Sequence, residues 1–167
     1  MLTVQELVRD NAEKIAFTWI AGAGSGDKVI PNQGMHSADL VGHLNLIHPA
    51  RIQVFGREEL QYYARFEPKR RVHHLEDLVA GGVPAILLAE NLPVPDDLRD
   101  FCNAQHIPLL STPIDAAQLI DLLRIYLAKR LAPVTTAHGV FMDVLGLGVL
   151  ITGESGLGKS ELALELI

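Results

Sequence analysis

Residues 148–167 read GVLITGESGLGKSELALELI, and within them Gly153, Glu154, Ser155, Gly156, Leu157, Gly158, Lys159 and Ser160 satisfy G-x-x-x-x-G-K-[ST] in full. No other stretch restricts the fold as tightly. The spacing requires a strand, then a turn whose backbone N–H groups point inward, then a helix that begins at the lysine. Glycines leave the backbone open to phosphate oxygens. Lys159 presents a positive charge to the β and γ phosphates, Ser160 a hydroxyl to Mg²⁺, and the helix N-terminus its own partial positive charge. The local context agrees: an apolar strand, Val149 to Thr152, leads into the motif. After it, Leu162, Ala163, Leu166 and Ile167 mark one side of a helix, with Glu161 and Glu165 on the other. Gly153 to Ser160 are therefore the candidate nucleotide-binding residues, with Ser160 the candidate metal ligand.

Upstream, VFMDVL and VLIT read as two strands joined by a Gly-rich hairpin turn at Gly146 to Gly148. Folding one strand back on the other sets His138 a few residues beyond the partner of Gly153, about 10 Å away at 3.3 Å per residue. That distance permits a hydrogen-bonding or proton-shuttling role near the terminal phosphates. On spacing alone, a histidine held at a strand entry by backbone contacts is the plainer reading. Asp143 interrupts an apolar strand, either as a solvated edge position or as a partner to the site, the first being the simpler.

The rest of the chain reads as α/β. Thr3 and Glu6 form a capping-box pattern, and Val4, Leu7, Val8 and Ile15 recur at helical spacing, which predicts a helix over about residues 3–16. TWIAG follows as a short strand and AGAGSGDK as a flexible loop, since it lacks the spacing of a phosphate or dinucleotide fingerprint. From residue 50, strand-like runs (RIQVFG, VPAILLAEN, IPLLSTP) alternate with helical ones (REELQYYARF, HLEDLVAGG, PDDLRDFCNAQH), the pattern of βα units on a mainly parallel sheet. AILLA is continuously apolar, as a strand covered on both faces must be.

A long helix, IDAAQLIDLLRIYLAKRLAP, carries the stripe Ala116, Leu119, Ile120, Leu123 and Leu127. Leu122, Ile125 and Tyr126 widen it, so that it either lies across its own sheet or is buried between domains or subunits. A boundary falls near residues 131–135, which separates an N-terminal α/β domain over 1–132 from the hairpin and phosphate loop that open a second domain over 133–167.

Fourteen Lys and Arg stand against twenty Asp and Glu, a formal net charge of −6. That balance excludes a duplex nucleic-acid binder, which needs clustered cations in excess. The basic run Arg65, Lys69, Arg70 and Arg71 reads as a solvated turn. Cys102 is the single cysteine, so no internal disulfide forms, in keeping with a cytoplasmic location. Cys102 and His106 are helically spaced but no second ligand pair accompanies them, and they read as a core thiol and a helix-end histidine. His73 and His74 are expected in an extended stretch or at a helix start; His36, His43 and His48 fall in an irregular one. No secretory signal and no membrane span is expected.

At this point HGVFMDVLGLGVLITGESGLGKSELALELI, residues 138–167, resembles the start of the catalytic domain of the bifunctional HPr kinase/phosphorylase family. YLAKRLAPVTTA, RIQVFGREELQYYARF and IPLLSTP are similar to its N-terminal domain, so the resemblance covers essentially the whole chain. It implies a bacterial cytoplasmic homohexamer that phosphorylates a serine of the phosphocarrier protein HPr with ATP and Mg²⁺. The same enzyme reverses the reaction with phosphate, releasing pyrophosphate, in the control of carbohydrate and related phosphotransfer signalling.

The resemblance also implies that Gly153 to Ser160 bind nucleotide, phosphate or pyrophosphate, that Lys159 stabilises the transferring charge, that Ser160 helps hold Mg²⁺ and that His138 belongs to the active site. The family's base, an aspartate soon after the P-loop helix, and a further metal-binding carboxylate have no counterpart in these residues. The expectation is that the 167-residue chain by itself has no kinase activity. The alternatives are a regulatory or assembly module with a nucleotide-sensing loop, or a P-loop kinase with another acceptor.

Overall fold

A computed structural model describes residues 1–32, 35–133 and 137–166. They fall into two compact units, Met1–Ala132 and Pro133–Ile167.

In the first unit, strands β1 (Thr18–Ala21), β2 (Val41–His43), β3 (Ile52–Phe55), β4 (Ile86–Leu88) and β5 (Leu109–Ser111) form one sheet in the order β1-β5-β4-β3-β2. β2 to β5 run parallel, and β1 closes the edge antiparallel to β5. The helices are α1 (Val4–Asp10), α2 (Arg57–Ala64), α3 (Pro68–Ala80), α4 (Asp96–Ala104) and α5 (Ala116–Arg130). Successive strand residues point to opposite faces, so a sheet covered on both sides needs apolar residues at every position. Val54, Leu87 and Leu110 face a core shared with Leu7 of α1 and with Leu119, Leu123 and Leu127 of α5. Phe55, Ile86, Leu88 and Leu109 face a second core with Tyr63 of α2, Leu75 and Leu78 of α3, and Leu98 and Cys102 of α4. The expected α/β class and mainly parallel sheet are thus present. Each such fully buried side chain contributes on the order of 1.5–3 kcal/mol.

Local chemistry explains where elements end. The capping box forms: Thr3 Oγ1 accepts the Glu6 N–H at 3.2 Å, and Thr3 N donates to Glu6 Oε2 at 2.9 Å. The Thr3 backbone N–H holds the Glu6 carboxyl below its ordinary pKa. The helix is shorter than the predicted 3–16, however. Asn11 turns its side-chain amide onto the Leu7 carbonyl, at 2.8 Å, and so caps the helix end. Ile15 reaches the core from the turn that follows. In α5 Asp115 caps the Gln118 N–H, and the five stripe residues are the buried ones.

Four expectations are corrected. The glycine-rich AGAGSGDK is a tight 3₁₀ turn at Ala23–Ser25, pinned to α1 by Val4 N to Lys28 O (3.0 Å) and Gln5 N to Gly26 O (2.8 Å). The basic run is mostly helical: Lys69, Arg70 and Arg71 lie in α3, and Arg71 donates to Ala64 O and approaches Asp97 at 3.4 Å. His73 and His74 sit inside the same helix, His73 3.7 Å from Asp77 and His74 edge-on to Phe66. His43 ends an edge strand, β2, and pairs with Glu59 at 2.8 Å. That strand is only three residues long, too short for a periodic signal. The loop after it is fastened by the fully buried Gln53, which accepts from Asn45 N and donates to His48 O. No helix among the described residues is long and apolar enough to cross a membrane.

Candidate phosphate-binding site

The second unit holds β6 (Gly139–Val144), β7 (Leu147–Thr152) and α6 (Lys159–Glu165). β6 and β7 pair antiparallel from Gly139↔Thr152 to Val144↔Leu147, so the turn is Leu145–Gly146, not Gly146 to Gly148. Gly148 belongs to β7, opposite Asp143. Asp143 closes the turn, its Oδ1 accepting the Gly146 N–H at 2.8 Å. The spacing Asp-x-x-Gly was the available signal.

Leu145 takes φ +55° while almost wholly exposed, a backbone conformation that costs a non-glycine residue roughly 1–2 kcal/mol. Asparagine tolerates it and suits a two-residue hairpin turn. Leu145→Asn is therefore expected to stabilise this unit by about 1 kcal/mol. Hydrogen exchange of the β6 and β7 amides checks this, and unchanged or faster exchange contradicts it.

The turn's position decides where His138 falls. The pairing ends at Gly139↔Thr152, and exposed His138 and Gly153 are the residues that adjoin that pair, so His138 lies nearer to the loop than the few-residue offset expected.

Thr152 delivers the chain into the loop, and Gly156 and Gly158 take φ of +87° and +81°. Gly158 is the residue before α6, and its left-handed backbone geometry favours glycine, while the nearest atom to a Cβ there, Glu161 Oε2, sits at the end of an exposed side chain that can swing away. Lys159 opens α6 and folds its side chain back over the loop, its Nζ donating to Gly153 O at 2.7 Å and Glu154 O at 2.6 Å. The ammonium is thus held at the mouth of the loop, where a phosphate oxygen would compete with two carbonyls for it. Sequence reasoning did not foresee this contact.

Glu154, Ser155 and Leu157 are exposed, as is Ser160 at the second position of α6. The exposed Ser160 hydroxyl is a hard oxygen donor of the kind Mg²⁺ takes beside phosphate oxygens and waters. The expected apolar side of α6 is only partly realised: Ala163 is buried, but Leu162 and Leu166 are about half exposed. A two-stranded hairpin has too little surface to cover them. Ile167 lies outside the described residues.

The other pair with ligand spacing does not converge. Cys102 is fully buried, its thiol pushed up to about 12 by desolvation, while His106 is exposed beyond the end of α4.

Comparison with known proteins covers both units. Residues 2–127 match the HPr Serine kinase N terminus and residues 129–167 the HPr Serine kinase C-terminal domain. The chain is 72% identical over all 167 residues to an HPr kinase/phosphorylase of Bordetella avium, covering 54% of that protein, and equally so to one of Bordetella pertussis. An HPr kinase/phosphorylase of Cupriavidus necator is 46% identical over 170 aligned residues, with 99% of this chain and 53% of that protein covered. The chain thus spans about half the length of these relatives. Both family segments are matched in order, the second carrying the full phosphate-loop motif, and the chain belongs to the HPr serine kinase family.

Proposed function

We propose that this chain is the front part of a bifunctional HPr kinase/phosphorylase. Residues 1–132 form its regulatory or assembly domain, and residues 133–167 open its catalytic domain. The observation that carries this reading is the complete motif Gly153–Ser160, which runs from the end of β7 into the first residues of α6, in a chain that matches both family segments. In the forward reaction the serine oxygen of HPr attacks the γ phosphorus of ATP, ADP leaves, and the serine proton passes to the family's aspartate base, which has no counterpart in these residues. In the reverse, an oxygen of inorganic phosphate attacks the phosphorus of phosphoserine, giving pyrophosphate and returning a proton to the serine.

Transfer of this kind needs positioning and charge stabilisation more than covalent catalysis. Gly153 to Ser160 cradle the phosphates through backbone N–H groups. Lys159 exchanges its two carbonyl partners for phosphate oxygens and follows the charge as it moves. His138, adjoining the Gly139–Thr152 pair, hydrogen-bonds at the terminal phosphate. Mg²⁺, when bound, neutralises phosphate charge, with Ser160 as its ligand from this chain. The setting is a bacterial cytoplasm and the assembly a homohexamer.

The test joins these 167 residues to the remaining sequence of the Bordetella avium relative and supplies HPr and Mg-ATP. Phosphoserine on HPr is expected, and pyrophosphate on adding phosphate to the phosphorylated product. The 167 residues by themselves should turn over neither. A folded chimera that binds Mg-ATP but leaves HPr unmodified would sink the reading.

A further inference from the structure

In the first unit, the end of α1 and the turn after it (Asp10, Asn11, Lys14) and the C-terminal half of α5 line a cleft of 590 Å³, within the range of small-molecule sites. Its floor is apolar: Leu122 and Tyr126 are half-buried, and Ile125 stays 69% exposed. Its rim is cationic, with Lys14, Lys129 and Arg130. Leu122 and Tyr126 widen the α5 stripe by packing at the margin of the sheet core and lining the cleft at once, while Ile125 lies outside that core.

Asp10, the acid in its lining, and nearby Glu6 are already matched. Asp10 accepts the Tyr126 hydroxyl at 2.9 Å and pairs with Arg9 at 3.1 Å, while Arg130 lies 4.0 Å from both Asp10 and Glu6. The Tyr126 bond, with Arg9 and Arg130, holds the Asp10 carboxyl below its ordinary pKa, so it stays ionised and engaged. Among the described residues, Lys14 and Lys129 have no carboxylate within 4.0 Å. The α5 dipole explains cations at its last turn, but not an exposed isoleucine floor between them and Lys14. In a chain of net charge −6, two unmatched lysines over an apolar floor form a local inversion of sign.

We propose that this cleft binds a small organic anion: a ring-sized apolar body seated on Leu122, Ile125 and Tyr126, with its carboxylate, sulfonate or phosphate between Lys14 and Lys129. It is a ligand site of the N-terminal domain, separate from the phosphate loop.

The probe is 8-anilinonaphthalene-1-sulfonate, titrated by fluorescence into the 167-residue chain. Saturable one-to-one binding is expected, weakened about tenfold or more in the Lys14→Glu/Lys129→Glu double variant and in Ile125→Glu, and weakened by salt. The melting curve followed by Trp19 emission should match that of the parent. Lys159→Ala should leave the signal unchanged, which keeps this site distinct from the loop. Displacement by benzoate and by phenyl phosphate then separates carboxylate from phosphate ligands. The proposal is overturned if no saturable binding occurs, if both cleft variants bind as the parent does, if Lys159→Ala alone abolishes the signal, or if Ile125→Glu proves to dissociate a dimer built on this face.

Discussion

Gly22→Ala is expected to lower the stability of the N-terminal unit by about 3–5 kcal/mol, a large part of the roughly 5–15 kcal/mol that holds a domain together. Gly22 follows β1 at φ +63°, where an alanine costs roughly 1–2 kcal/mol. A Cβ there would stand 2.1 Å from the Ile107 carbonyl oxygen and 2.5 Å from its carbon, against backbone that enters β5 and cannot rotate away. Relieving that contact means prising β1 from the sheet edge, and overpacking of this sort costs about 1–3 kcal/mol more. The Gly22 N–H, which donates to Asn103 Oδ1 at 2.9 Å, would be lost with it. Trp19, the chain's single tryptophan, lies in the same strand and reports the melt, with a drop on the order of 10–20 °C expected. Gly24→Ala is the control, since a Cβ there meets nothing within 4 Å and should leave the midpoint almost unmoved. Equal melting of the two variants would show that the Gly22 contact yields at little cost.

Lys159→Ala is expected to weaken binding of pyrophosphate by about a hundredfold, near 3 kcal/mol at 1.4 kcal/mol per tenfold. The lysine is already held at the loop by the Gly153 and Glu154 carbonyls, so little side-chain freedom is left to lose when a phosphate arrives. What the substitution removes is a charge-assisted hydrogen bond, and it also leaves those two carbonyls facing the anion. Both effects act against binding. Calorimetric titration of pyrophosphate into the parent and the variant measures the difference, with Lys159→Arg as the arm that keeps charge but changes shape. Binding by the alanine variant within threefold of the parent would remove Lys159 from the proposed cradle.

The elements legible in the sequence share one property: their signal is local. The stripe of α5 repeats along one helix, and its five residues are the buried ones. The Thr3–Glu6 capping box is complete within one turn, and the apolar AILLA announces a strand covered on both faces. The phosphate loop is legible because its glycines, lysine and serine do their work within a few bonds of one another. Where reading failed, a distant partner or a conformational compromise was involved. Asn11 shortened α1 by a side-chain bond that competes with the helix ladder. Leu145 occupies a turn position that its own preference opposes, so the turn at Leu145–Gly146 was not the one the glycines suggested, and His138 adjoins the Gly139–Thr152 pair.

By itself, then, the sequence determined the phosphate loop, the alternating βα order and the two-faced sheet, because spacing and periodicity dictate which backbone groups and faces can be used. Tertiary structure alone decided that Gly22 packs its backbone against Ile107, that Gln53 fastens the loop after β2, and that Lys14, from the turn after α1, meets the cations and apolar side chains of α5. Those contacts join residues tens of positions apart, or hang on competing local bonds. Their energies exist only once the sheet has brought the partners within a few ångströms.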